Sequence, residues 1–253
     1  MPTLYNFAKK KGVFMIPSGG TKSPTPTPPS FSNTKSLAFD GVDDYVDLGS
    51  GLDIFRYNIN ESYTISLWYK TTSALGDKTI INLGANAYRF TLASASSGKI
   101  TFGAGNSSTV FVTYNWLPTA GAINDGNWHH ICVVQDSSGG SVNLKAYVDG
   151  SSSGAGISTT FITEINNRIG FGNYGGVSAN IDEVSIFDSA LTSGNVTSIY
   201  NSGTPTDLTS LSPVAWYRMG DKVTSWATIP DQVGSNDGTA TNMDIGDIVS
   251  DVP

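Results

Sequence analysis

Apolar residues in this chain recur at every second position over short stretches, and each stretch ends in Gly, Ser, Asn or Asp. The segment 63–70, YTISLWYK, sets Tyr63, Ile65, Leu67 and Tyr69 against Thr64, Ser66, Trp68 and Lys70. A period of two belongs to a strand, whose successive side chains point to opposite faces. It predicts a half-buried strand with aromatics on both sides. The same reading gives strands at KTIINL (78–83), YRFTLA (88–93), KITFG (99–103), TVFVTY (109–114), WHHICVVQD (128–136), VNLKAYVDG (142–150), NRIGFGN (167–173) and ANIDEVSIFD (179–188). LAFDG and YVDLG read as two more around the Asp-rich turn GVDD, and SSGGS closes a hairpin-like turn. Strands at this spacing predict an all-β sandwich or barrel.

Composition agrees. There are 18 Asp but only 3 Glu, with 28 Gly and 11 Pro. Asp favours caps and turns where Glu favours helix interiors, so the imbalance argues against long helices. One short helix is expected in ALTSGNVTSIYNSG, with Ser193 as the N-cap, Val196, Ile199 and Tyr200 on one face, and Gly203 at the end. A single cysteine, Cys132, rules out an intrachain disulfide and reads as a small buried hydrophobe. No apolar run approaches the ~18 residues of a membrane span, and the first twenty residues lack the apolar core of a secretory signal. The expectation is a chain made without such a signal, or trimmed beforehand.

The net charge is −7, unevenly spread. Residues 1–35 carry five lysines and no acid, which leaves −12 on the rest. An acidic body repels phosphate backbones, so no nucleic-acid partner is expected. Residues 1–17 read as a basic anchoring arm, with Lys9, Lys10 and Lys11 as its attachment residues, and 18–34 as a Pro-rich linker. The β domain then runs over 35–203, and 204–253 forms a C-terminal strand with a loop-rich extension packed on it. Within that extension PVAWYRM (213–219) alternates, so it should pair into a sheet of its own chain with Trp216 buried. Asp237-Gly238 reads as a tight turn.

SLAFDGVDDYVDLG, YTISLWYKTT, DGNWHHICVVQD, VNLKAYVDG and NIDEVSIFDSALTSGNVTSIYNSG occur in this order over residues 36–203. Together they resemble the laminin-G-like/pentraxin branch of the concanavalin A-like lectin/glucanase superfamily. The resemblance implies a jelly-roll β-sandwich of two antiparallel sheets, one of them concave. The tail AWYRMGD…IPDQVGSNDGTATNM is similar to tails in bacteriophage structural proteins. It implies a non-enzymatic virion protein, either a head decoration or fibre or part of a tail fibre. Its partners would be other virion proteins reached through the arm, and host-surface glycans, with the chain forming a homo-oligomer. A secreted bacterial adhesin or carbohydrate-binding module is the alternative.

The resemblance also implies chemistry to test. Glucanases of this superfamily place two catalytic carboxylates around an Asp on one strand. Here that strand reads Asn180-Ile181-Asp182-Glu183-Val184, lacks the first Glu, and should turn Asp182 and Glu183 to opposite faces. No catalytic residue is therefore assigned. His129 and His130 are likewise neighbours on a strand, which argues against a shared metal or a dyad. Related folds hold Ca²⁺ with an Asp on the 179–188 strand, which implies Asp182 with Asp40 and Asp43 as metal ligands, Asp44 being a further helper. Tyr88, Tyr114, Trp116 and Tyr174 lie in or beside turns, as sugar-stacking aromatics do and as ordinary rim residues do. No glycan-binding residue is fixed by the sequence.

Overall fold

The computed structural model describes residues 31–52, 61–73, 78–85, 88–95, 99–106, 110–116, 122–138, 143–152, 166–172 and 174–253. The arm at 1–17 and most of the linker lie outside them, as do Lys9, Lys10 and Lys11. Residues 32–253 form one compact unit.

Two antiparallel sheets pack face to face, with eight strands in each among the described residues. The first contains β1 (Ser36–Asp40), β3 (Tyr63–Lys70), β8 (Trp128–Asp136), β9 (Asn143–Val148), β10 (Ser151–Ser152), β12 (Ser178–Phe187), β13 (Ala215–Tyr217) and β17 (Ile248–Val249). Its order is β10-β9-β8-β3-β12-β1-β17, with β13 also on β12. The second contains β2 (Tyr45–Asp47), β4 (Lys78–Ala85), β5 (Tyr88–Ala95), β6 (Lys99–Asn106), β7 (Val110–Trp116), β11 (Arg168–Ile169), β15 (Thr228–Ile229) and β16 (Gly238–Thr241), in the order β15-β16-β2-β11-β4-β5-β6-β7. A further short strand, β14 (Met219–Lys222), lies against β1, β12 and β17. This is the expected jelly-roll sandwich.

Alternation fills the space between the sheets. Ile65, Leu67 and Tyr69 of β3, Ile131 and Val133 of β8, and Leu83 of β4 join one core and are at most 2% exposed. The other face of β3 departs from expectation. Thr64, Ser66 and Trp68 are buried too, so the strand is covered on both sides. The cover is the helix α1 (Ser193–Tyr200) and the chain leading to it. Tyr200 stacks on Trp68 with ring centroids 5.9 Å apart, and Thr64 Oγ1 donates to the Ser189 carbonyl at 2.8 Å. Cys132, Val134, Tyr147 and Val196 make a smaller apolar cluster on this outer face.

The helix caps one residue earlier than expected. Thr192, not Ser193, is the N-cap, in extended conformation, and accepts from the Asn195 amide at 3.1 Å. Asn195 Oδ1 accepts in return from the Thr192 amide at 3.2 Å, which satisfies two otherwise orphaned donors.

Residues 204–253 are built into both sheets. β1 pairs with the first half of one edge of β12, and β13 pairs with the second half of the same edge. β17 then pairs with β1, and β16 with β2. Trp216 is 3% exposed, in its own chain's sheet. Gly238 starts β16 instead of finishing a tight turn. A Cβ there would lie 2.5 Å from Val46 Cγ1, so only glycine lets the two strands approach. The turn is instead organised by the Asp231 carboxylate, which accepts from the amides of Trp216, Val233 and Asn236.

Candidate functional site

β12 does not alternate cleanly. Asp182 opposes Trp68 and Ser185 opposes Ser66, which leaves Glu183 and Val184 facing Leu67 alone. Glu183 sits in the left-handed region at φ 48°. Ile181 and Val184 both enter the core, three residues apart. The bulge therefore puts Asp182 and Glu183 on the same outer face, which corrects the expectation that they oppose each other.

That face is sealed. Asp182 is fully buried and Glu183 is 3% exposed. Glu183 accepts from Trp216 Nε1 at 2.6 Å and from Arg218 Nε at 2.9 Å. Arg218 Nη2 also donates to Asp221 Oδ2 at 3.0 Å and to the Ser32 carbonyl at 2.6 Å. Asn33 Nδ2 donates to Asp182 Oδ2 at 2.8 Å, and Thr34 donates through its amide and its hydroxyl to Asp221. Burial, with the neighbouring Glu183 charge, raises the Asp182 carboxyl well above its usual range. Burial pushes Glu183 up to about 7 against the pull of Arg218. These groups anchor residues 32–34 over the two buried carboxyls.

Asp182 is also kept away from Asp40 and Asp43. Asp40 pairs with Ser178, four residues before Asp182 on β12, so about 13 Å of strand separates them. The acid that joins Asp40 and Asp43 is Asp44, and the three offer carboxylate oxygens within 4.8 Å of one another. Asp44 Oδ2 accepts from the Asp40 amide at 2.8 Å, and Asn242 Nδ2 donates to Asp43 Oδ2 at 3.0 Å. Burial raises the Asp44 carboxyl, and the charges of Asp40 and Asp247 add to it. Three carboxylates suit a hard cation such as Ca²⁺, which takes ~6–8 oxygens, the rest coming from backbone carbonyls and water.

The two histidines diverge. His130 is fully buried between Ser66 Oγ, 2.7 Å from its Nε2, and the rings of Trp68 and Tyr200. Burial lowers it to about 4, so it is neutral. His129 bridges Asp149 Oδ2 at 2.9 Å and Asp125 Oδ1 at 3.1 Å. Its bond to Asp149 raises its pKa although burial opposes, and Asp125 adds to the rise. Stability from this pair is complete below the unfolded value near 6.5 and is lost as pH rises through the higher folded value. His129→Gln should cost about 1–2 kcal/mol at about pH 6 and much less at about pH 9, measured by urea unfolding.

At the same loop end as the acid cluster lies an open cleft of about 230 Å³, lined by Phe39, Lys70, Thr71, Thr72, Ser178 and Asn180 among others. It meets the acid cluster at the Asp40–Ser178 pair. On its rim, Lys70 Nζ donates to both Asp251 oxygens at 2.9 and 2.7 Å, Trp128 Nε1 to Oδ1 at 3.1 Å, and Asn180 Nδ2 to Oδ2 at 3.1 Å. Sequence reasoning missed all four residues. The ladder explains their meeting, because Lys70 opposes Trp128 on one side and Asn180 on the other. Of the turn aromatics, Tyr174 is half-buried, while the side chains of Tyr88, Tyr114 and Trp116 lie outside the described residues.

A family model for the concanavalin A-like lectin/glucanases superfamily matches residues 40–197. No curated protein matches. Among solved structures, a Bacteroides ovatus protein provisionally titled carbohydrate-binding is 17% identical, with a TM-score of 0.61 over 87% of this chain and 60% of its own. A heptameric SAP-like pentraxin from Limulus polyphemus is 18% identical, with a TM-score of 0.45 over 69% of this chain and 86% of its own. The CBM40 of a Ruminococcus gnavus sialidase is 16% identical, at 0.46 over 65% and 97%. The two-sheet jelly roll and the span of the family match lead to one statement: the chain belongs to the concanavalin A-like lectin/glucanases superfamily.

Proposed function

We propose that the chain is a non-enzymatic, lectin-like module that holds glycans at the loop end of its sandwich and is carried on a bacteriophage particle by its basic arm. The observation that carries the binding reading is the loop end itself. A set of hard oxygen donors at Asp40, Asp43 and Asp44 adjoins a cleft edged by hydroxyls, an amide, an ammonium and the apolar ring of Phe39. Sugar recognition uses these groups, since hydroxyls need paired donors and acceptors and the C–H face of a ring needs an apolar plane. The non-enzymatic reading rests on the burial of Asp182 and Glu183, since a glycosidase must bring both of its carboxyls to the bond it cleaves. The particle reading rests on the five lysines of residues 1–35 and on the tail's likeness to virion proteins.

The test is retention of the full chain on an array of immobilised glycans, with calcium or with a chelator. Retention of at least one glycan class, lost on Thr72→Trp in the cleft, is expected; retention of none overturns the binding reading. Calcium should also raise the Tm, and Asp44→Asn should remove that rise. If calcium leaves the Tm unchanged, the acid cluster holds no such ion. Deleting residues 1–31, which spares the bonds of Ser32, Asn33 and Thr34, should give a folded domain that no longer assembles on the particle. Assembly at full occupancy would end the anchoring role.

A further inference from the structure

Asp251 is held as a ligand would be. Both of its oxygens are engaged from outside its own segment: Oδ1 by Lys70 and Trp128, Oδ2 by Lys70 and Asn180. The donors come from three neighbouring strands and converge on one point at the edge of the 230 Å³ cleft. An ammonium bound to both oxygens, with one neutral N–H added to each, reads a carboxylate and not a single hydroxyl. Asp251 belongs to a stretch without regular structure, and its side chain is 42% exposed. Its backbone is tied separately, since Ser36 Oγ donates to the Asp251 carbonyl at 2.6 Å. With the backbone tied and the carboxylate in reach of water, rotation of this one side chain is all that opening the receptor requires.

The cleft beside the receptor has the size and lining for a ring. Its volume is below the ~300–1,000 Å³ of a site for a drug-sized molecule and suits one monosaccharide. Thr71, Thr72, Ser178 and Asn180 supply polar groups along it, and Phe39 an apolar one. Gly126 forms part of the wall. A Cβ there would stand 3.0 Å from Thr72 Cγ2, so a larger residue would crowd the opening.

We propose that Lys70, Trp128 and Asn180 form the carboxylate subsite for an acidic sugar whose ring lies in the adjacent cleft, and that Asp251 is an intramolecular competitor for it. This rests on the glycan-binding reading and narrows it to carboxylated pyranoses, either uronic or sialic acids. A tethered carboxylate competes at an effective concentration in the millimolar range, so the intact chain discriminates against weak or monovalent acidic ligands. A multivalent acidic surface displaces it more readily.

The experiment follows the indole N–H signal of Trp128 in ¹⁵N-labelled full chain, assigned with Trp128→Phe. Glucuronate, N-acetylneuraminate, neutral methyl glucoside and N-acetylaspartate amide are titrated into the intact chain and into Asp251→Ala. The expected result is saturable movement of that signal with both acidic sugars. Their affinity should be about tenfold or more higher in Asp251→Ala, as when a competitor holds a site nine-tenths of the time. Methyl glucoside should leave the signal unmoved, and Lys70→Met in the Asp251→Ala background should abolish the response.

Equal affinity in the intact chain and Asp251→Ala would overturn the competitor role. A response that survives Lys70→Met would overturn the subsite. N-acetylaspartate amide binding as tightly as glucuronate would show a receptor for any carboxylate, peptides included, and would overturn the sugar assignment. The array separates the two levels. Neutral glycans retained equally by both chains, with no Trp128 response to acids, would sink this inference and leave the broader reading. Retention of nothing by either chain would sink both.

Discussion

Trp216→Ala is expected to cost about 3–5 kcal/mol, enough to leave much of the chain unfolded or insoluble at ordinary temperature. The indole is 3% exposed on the outer face of β13, next to the bulge of β12. Truncation removes its packing and also orphans Glu183 Oε2, which accepts the indole N–H at 2.6 Å. Trp216→Phe separates the two effects. It keeps most of the buried area and loses the hydrogen bond, so it should cost about 1–3 kcal/mol. Urea unfolding of both variants measures this, and a Trp216→Ala chain with an unchanged midpoint would contradict the packing described for β13.

Arg218→Met should be nearly as damaging, and its cost should depend on pH. The guanidinium is the counter-charge that bonds to both Glu183 and Asp221 across the sealed outer face. Breaking a buried pair by removing one partner typically costs about 3–5 kcal/mol, because the other charge stays behind unpaired. A carboxyl whose folded pKa lies above its unfolded value holds its proton more tightly when folded. Stability therefore falls as pH rises from the ordinary Glu value of 4.5 toward the folded value of about 7. Arg218 restrains that fall, and without it the fall should be steeper. The variant should lose less at about pH 5, where only the bonds to Asp221 and the Ser32 carbonyl are missed, and clearly more at about pH 8. Adding Glu183→Gln to Arg218→Met should restore much of the loss at the higher pH. A loss independent of pH would mean that the arginine acts through its packing alone.

The strands were legible because their physics is local. Tyr63 to Lys70 shows its period without knowledge of any neighbour, and so do Trp128 to Asp136 and Pro213 to Met219. What escaped was decided by register or by a single irregular residue. No local feature marks Glu183 as the extra residue of a bulge, yet its left-handed backbone reverses which face it occupies. Asp182, which the family resemblance implied as a ligand beside Asp40 and Asp43, falls outside their group because the antiparallel ladder carries it along β12, and Asp44 stands there instead. The burial of Thr64 and Ser66 depends on the α1 connection, which approaches from 125 residues away in sequence at Ser189. The Asp251 receptor joins positions 181, 123 and 71 residues apart, and composition holds no trace of such a meeting.

β12 is completed along one edge by two strands from distant parts of the chain, and this bears on how the protein is made. β1 is synthesised well before its partners: one edge has to wait for residues 178–181 and the other for Ile248 and Val249. The second half of the β12 edge waits for residues 215–217. Neither sheet can close before residues 238–249 have been synthesised, since β16 also comes late to β2. Loop-closure entropy is paid before these pairings return anything, which places the protein among slow, late-closing folders. During that interval apolar strand edges are open to other nascent chains, so expression at lower temperature or with chaperones should raise the soluble yield more than any change to the finished surface.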